Sequence, residues 1–293
     1  MSGRTILRAG DLEVHLLPSV GGSLARFDRL VRGKRQPLLR GTDSDKSGPL
    51  DAACFPLVPF CNRIRGGEFS YRGQRVRLAP NMPPDPSPLH GQGWLSSWEL
   101  EAFGSDHAVM RFTHAAGEWP WDYEAVQQVL LDPAGLSVEL SCRNLSSRPM
   151  PCGLGLHPYY PCDSQTRLDT EVENVWPVDE QTLPLAREPA RGVYDLRARL
   201  ICGQGLDNGF DGWSGSAVIN WPGEEAGLRL SSPDCRFFQV YSPAGGGLFV
   251  AEPVQNANAA LNEPEGEWAE LGIEVLQPGE QRRMSARFEP ALR

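Results

Sequence analysis

The sequence contains no CxxC pair, although it holds seven cysteines: Cys54, Cys61, Cys142, Cys152, Cys162, Cys202 and Cys235. That argues against a zinc ribbon and a thioredoxin-like redox site. The odd count fits free thiols, buried or partly buried in a reducing cytoplasm, better than a disulfide framework. The opening residues lack an apolar core of signal-peptide length. No run is long enough for a transmembrane helix, so a cytoplasmic protein is expected. Positive charge is in short supply, with 28 Lys and Arg against 37 Asp and Glu and a net charge of -9. An acidic chain lacks the surface that nucleic acid requires and is not drawn to anionic membranes. No G-x-G-x-x-G or Walker loop is present to cradle a nucleotide. No G-x-S-x-G elbow occurs either, because Gly212-Trp213-Ser214-Gly215 has the wrong spacing. Finally, there is no amphipathic helix of three turns, no internal repeat and no linker; 256–262 reads as one short turn.

Turn formers are abundant instead. The 293 residues include 31 glycines and 26 prolines, and 40% of the chain is hydrophobic. This composition favours many short strands around a substantial core. Candidate strands lie at 12–17, 228–230, 237–241 and 247–251. A hairpin over 68–78 turns at Arg72-Gly73, and strands at 126–131 and 136–142 flank Asp132-Pro133-Ala134-Gly135. Segments 272–276 and 283–288 read as a closing hairpin across Pro278-Gly279. The stretches 43–51 and 80–88 are polar or proline-rich but too short to separate domains, and the second reads as a loop beside a site. Residues 1–293 therefore read as one domain, an all-β, mainly antiparallel sandwich.

Five histidines are present. His15, His107 and His114 lie in or beside strand patterns with nothing convergent around them, which suits structural or surface roles. His90 differs: it follows the proline-rich stretch and precedes Gly91-Gln92-Gly93-Trp94. His157 lies in Gly153-Leu154-Gly155-Leu156-His157-Pro158-Tyr159-Tyr160, where glycines permit close backbone approach and Pro158 restricts the chain. Among carboxylates, Glu252 ends an apolar run and precedes Pro253. A charge there needs solvent or a task; the plain reading is an exposed strand-end glutamate. Asp207, in Leu206-Asp207-Asn208-Gly209-Phe210, reads by itself as part of a turn. His90, His157 and Glu252 are chemically able to hold a metal, but no HxH or HxxxH pairing supports that, and no metal is expected. Trp94, Trp98 and Trp213 suit core or rim packing better than stacking on a ligand.

Taken together, several motifs occur in an order that resembles the aldose 1-epimerases. They are Asn62-Arg63-Ile64-Arg65-Gly66-Gly67-Glu68-Phe69, Leu89-His90-Gly91, Gly155-Leu156-His157-Pro158-Tyr159, Asp207 with Phe210, and Glu252-Pro253. The resemblance runs from Gly21-Gly22 to Leu276-Gln277-Pro278-Gly279-Glu280. It implies a galactose mutarotase-like β-supersandwich with the sugar in an open cleft, and a mutarotase that needs no cofactor. It implies Glu252 as general base, His157 as general acid and His90 as an assistant at the ring oxygen. Arg63, Asp207 and Asn62 are then the substrate-binding residues. Asp207-Asn208-Gly209-Phe210 departs from the Asp-His-Asn-Phe of galactose enzymes, which bears on the sugar rather than the chemistry.

The chemistry itself agrees with these roles. Anomer exchange needs a base for the O1 proton and an acid for the ring oxygen, and no redox or metal step. The expected partner is a small aldose, bound by a monomer or homodimer. Two alternatives remain. A hexose-6-phosphate 1-epimerase would need an arginine cluster, for which Arg65, Arg72, Arg75 and Arg77 are candidates. A non-catalytic sugar-binding module on the same fold would have no need of an acid–base pair.

Overall fold

The computed structural model describes residues 4–42 and 48–292, so most of the polar stretch 43–51 lies outside the described residues. Strands dominate, and every helical segment among the described residues is a single 3-10 turn. All strand pairs are antiparallel. An isolated bridge between Val58 and Gly91 is parallel. No helix among the described residues is long and apolar enough to cross a membrane.

Local signals placed several elements well. The strand Leu12–Leu17 and the hairpin Glu68–Tyr71/Gln74–Arg77, turning at Arg72-Gly73, form as the sequence suggests. Tyr123–Asp132 and Gly135–Asn144 pair across Pro133-Ala134, with the first alternating strictly between buried and less buried residues along its first half. The 256–262 turn is the 3-10 segment Ala260–Asn262.

The expected closing hairpin does not form. Glu274–Leu276 pairs with Met150–Cys152, whereas Gln281–Leu292 lies between Gly135–Asn144 and Ala226–Ser231. A turn signal brings two strands close in sequence, but each strand here gains more pairing from distant partners in a large sheet. Asp207 is also corrected: it lies in the strand Leu206–Asp211, paired with Phe237–Ser242, and not in a turn. Local propensity at Asp-Asn-Gly is weak and yields to the ladder on either side.

Two large sheets carry the architecture. In one, Gln281–Leu292 and Gly135–Asn144 lie near the centre of nine strands. In the other, Leu206–Asp211, Phe237–Ser242 and Leu248–Val254 run side by side. A four-stranded N-terminal sheet completes the frame. A single buried cluster runs through all three, from Leu7 to Phe288. Leu248–Val254 is buried along almost its whole length. Its apolar residues therefore run on up to Glu252 without alternation: one face meets the core and the other meets the cleft described next.

Candidate active site

Strand periodicity decides which side chains enter the cleft. Along Leu248–Val254, alternate residues share a face, so Leu248 and Glu252 look the same way and both line the cleft. Gln239 stands directly opposite Glu252 on the neighbouring strand, and Tyr241 stands opposite both Val250 and Asp207. Gln239, Tyr241 and Asp207 line the same cleft. The Gln239 side-chain amide donates to Asp207 Oδ1 at 2.7 Å, which fixes that carboxylate. The cleft measures about 480 Å³, within the usual range for small-molecule sites.

The opposite wall comes from loops. Asn62 and His90 are non-glycine residues with positive φ, 62° and 60°, a conformation costing of order 1–3 kcal/mol each. They hold each other there. The His90 backbone N–H donates to Asn62 O at 2.9 Å, and the Asn62 backbone N–H donates to His90 Nδ1 at 3.1 Å. That bond leaves Nε2 as the protonated nitrogen of a neutral His90. Gly91, at φ 71°, admits no side chain, because a Cβ would lie 2.1 Å from Val58 O. His157 follows the strand Gly155–Leu156, and its backbone N–H donates to Phe55 O at 3.0 Å. Phe55 stacks on the His157 ring at 4.4 Å.

All six residues singled out in the sequence, Glu252, His157, His90, Arg63, Asp207 and Asn62, line this one cleft. His157 Nε2 lies 3.4 Å from Glu252 Oε1, and the rings of His90 and His157 are 5.4 Å apart at 85°. Glu252 is 3% exposed, so the exposed strand-end reading is wrong. Its strand continues through Pro253 to Val254. Arg63 Nε donates to Asp85 Oδ2 at 2.9 Å and Arg63 Nη1 to Asn62 Oδ1 at 3.1 Å. Asp85 thus brings the proline-rich loop to the edge of the cleft.

Burial dominates the titration of these groups. It pushes Glu252 well above the carboxylate range; the nearby Asp207 adds to this and Arg63 opposes it. Burial also raises Asp207, against Arg63 and Gln239. Burial lowers His157 to about 3, with Arg40 contributing. His90 falls well below its usual value through burial, then His157 and Arg63.

Sequence reasoning missed Gln239, Asp85, Tyr241, Phe55 and Arg40. A cross-strand neighbour and a loop anchor leave no local mark, so only the Pro80–Pro88 composition pointed in this direction. Of the tryptophans, Trp94 lines the cleft, stacked on Phe55 at 5.4 Å. Trp98 is buried away from it, and Trp213 packs on Phe238 at 4.6 Å. His15 pairs with Glu13, His107 with Asp106, and His114 bonds Trp119 O. The described residues contain no group of three or more His, Cys, Asp or Glu arranged to hold a metal ion.

Residues 6–289 match the family model described as aldose 1-epimerase. The chain belongs to the aldose 1-epimerase family. It is 34% identical over 267 residues to the uncharacterized protein YphB of Escherichia coli K12, covering 86% of this chain and 89% of that protein. A solved structure of a candidate aldose 1-epimerase from Escherichia coli K12 aligns with a TM-score of 0.89 at 30% identity, covering 99% of this chain and 100% of that one. A galactose mutarotase-like protein from Clostridium acetobutylicum aligns at 0.85 with 17% identity, covering 98% and 95%. At that identity the likeness speaks for the fold alone. The fold of this aldose 1-epimerase family member is the galactose mutarotase-like β-supersandwich.

Proposed function

We propose that the protein is a mutarotase that interconverts the α and β anomers of a neutral aldose. The observation that carries this reading is the state of Glu252. It is a buried carboxylate in a sugar-sized cleft, and among the described residues its one ion-pair neighbour is His157 at 3.4 Å. Glu252 takes the O1 proton while His157 protonates the ring oxygen, and the C1–O5 bond breaks. The open-chain aldehyde turns about C1–C2. Closure on the other face reverses both transfers: Glu252 returns a proton to O1 and His157 recovers the one on O5. His90, with its Nε2–H, assists at the ring oxygen. Arg63 donates and Asp207 accepts hydrogen bonds from hydroxyls, with Asn62 beside them.

One proton is shared by the pair. Burial alone favours the uncharged arrangement, carboxylic acid and neutral imidazole. The reactive arrangement moves that proton to His157. Hydroxyl donors from the sugar, with Arg63 nearby, stabilise the resulting carboxylate. A base whose proton affinity is raised toward neutral pH is also a stronger base.

A neutral sugar is favoured over a 6-phosphate. Arg65, Arg72, Arg75 and Arg77 do not line the cleft, and Arg75 and Arg77 are both spent on Glu68 at 2.8 Å. Polarimetry of freshly dissolved α-anomers across a panel of aldoses tests the reading. Accelerated mutarotation of at least one neutral aldose is the expected result. No acceleration for any of them would defeat the reading, and a specificity constant about tenfold higher for a 6-phosphate would reverse the substrate class.

A further inference from the structure

We propose that Arg40 is a positioning residue for His157, acting through the ring of Tyr159 as a cation with no carboxylate in contact, behind the acid. This rests on the mutarotase reading, since it assigns the acid role to His157.

Arg40 follows the strand Lys34–Leu39, and its backbone N–H donates to Tyr159 O at 2.8 Å. The side chain then turns over the Tyr159 ring, with the guanidinium carbon 3.9 Å from the centroid. That ring is in turn 4.7 Å from the ring of His157. The guanidinium cannot swing freely: its Nη2 donates to Ala52 O at 2.7 Å and also to Leu50 O. Cation, phenol and imidazole therefore form a fixed column that ends at the proton donor.

What distinguishes Arg40 is its charge balance at this place. The buried Arg26 meets Asp28 and Arg63 meets Asp85, and Arg199, which like Arg40 is half-buried with no carboxylate in contact, lies away from the cleft. Arg40 has no such partner among the described residues. It is half-buried, and its Nε is buried without a hydrogen-bond acceptor. A partly buried, unpaired cation costs stability, so stability alone does not account for it. It lines the cleft, where its field acts on what happens next to Tyr159.

The groups that face His157 come from every surrounding element. Glu252 comes from Leu248–Val254, His90 from the loop before Gly91, Cys54 and Phe55 from the segment before Pro56, and Tyr159 from its own strand. Beyond them lie Arg63, Asp207 and Asp85. Arg63 is in contact with Asp85, whereas Arg40 touches no carboxylate among the described residues and Asp51 acts on it only from farther off. A cation there disfavours the imidazolium, so a protonated His157 gives up its proton more readily to the ring oxygen. Burial is the first cause of the low proton affinity of His157, and Arg40 is the next that acts in the same direction.

The test is the pH–rate profile of anomer interconversion in Arg40→Gln, which keeps a donor for the Ala52 and Leu50 carbonyls, and in Arg40→Lys, which keeps the charge. Removing the cation raises the proton affinity of the Glu252–His157 pair, so both limbs of the Gln variant should move to higher pH by about half to one unit. Its plateau kcat should fall by about three- to tenfold, with KM changed less than about twofold. The Lys profile should return to the wild-type position. Coincident profiles for wild type and Arg40→Gln, or a loss confined to KM, would overturn the proposal, as would a Lys profile that stays with Gln. Circular dichroism and thermal melting report whether the Gln variant folds. If it does not, the nitrogen chemical shifts of the His157 imidazole in Arg40→Lys against Arg40→Met decide. The imidazolium fraction at a given pH should be higher in Met, and equal fractions would refute the role. The same shifts separate this proposal from the mutarotase reading, because they require no turnover: wild type inert on every aldose defeats the latter alone.

Discussion

Glu13 and Glu252 are both glutamates on strands, 2% and 3% exposed, and the protein treats them in opposite ways. Glu13 sits on the N-terminal sheet between two arginines and a histidine whose own proton affinity burial lowers. Arg8 is 2.8 Å away, Arg35 2.6 Å, and His15 2.8 Å. Burial pushes its carboxyl up, but His15 and Arg35, then Arg8, outweigh burial and hold it below its usual value. Glu252 has His157 at 3.4 Å and a second carboxylate nearby, and burial carries it well above the carboxylate range. Similar exposure hides a difference in depth: Glu252 is the more deeply enclosed, and greater depth together with opposite neighbours drives the two acidities apart. Where the carboxylate serves the fold, the sequence surrounds it with positive charge. Where it faces the cleft, the compensation is withheld, and the group is left able to take a proton.

Exchanging each carboxylate for its amide breaks the comparison most directly. Glu252→Gln should lower kcat by about 10²–10⁴-fold, leaving sugar affinity largely intact because the amide still bonds O1. It should also leave stability unchanged or raised, since a costly buried acid is gone. Glu13→Gln should leave kcat untouched and destabilise the fold by about 1–3 kcal/mol in denaturant titration, a figure reduced because Arg8 and Arg35 are largely solvated. Turnover retained in Glu252→Gln would mean that the base is elsewhere.

His157→Asn should fall in the same range as Glu252→Gln, because the neutral His90 can offer the ring oxygen a hydrogen bond but holds its proton too tightly to replace the imidazolium. His90→Asn should cost less, about tenfold, if it only assists. Steady-state rates on one anomer rank the three; a His90 loss as large as that of His157 would exchange their roles.

Asp207→Asn and Arg63→Ala should raise KM and lower kcat together, by about tenfold in kcat/KM, since hydroxyl positioning serves both. Isothermal titration against the same sugar checks the binding part, and unchanged affinity in both would remove them from the substrate.

The pH dependence sharpens the contrast with a smaller effect. The reactive pair holds one proton, so activity falls as pH rises through the raised Glu252 value, where that proton is lost, and falls again as pH drops through the lowered His157 value, where a second is gained. For stability, the folded state holds the Glu252 proton more tightly than the unfolded chain. This contribution is therefore full below the unfolded value and is lost as pH rises through the folded one. Glu13 has the reverse sign: its contribution is present above the unfolded value and is lost as pH falls through its lowered folded value. Unfolding free energy against pH, compared across the two amide variants, should show slopes of opposite sign. Last, prolonged EDTA treatment should leave the rate unchanged, because the proposed steps are proton transfers alone; loss restored by zinc or manganese would point to a metal.

Much of this was legible in the order of residues. An apolar stretch with partial alternation placed Leu12–Leu17, and Arg72-Gly73 marked a hairpin turn, because both signals act over a few residues. The unusual settings of His90, His157 and Glu252, with the order of the motifs, were enough to name the residues that gather in one cleft. Tertiary structure alone decided the rest. It sent Glu274–Leu276 and Gln281–Leu292 to different sheets and drew Asp207 into a strand. It also put Gln239 opposite Glu252 and stacked Arg40 on Tyr159. Each of these joins residues distant in sequence, for which no local pattern exists. Above all, the chain neighbours tell only half of it: His15 and Arg8 lie close in sequence to Glu13, but nothing beside Glu252 says that it will be a base. That depends on the charges that long-range strand pairing brings within a few ångströms, where a low dielectric makes them count.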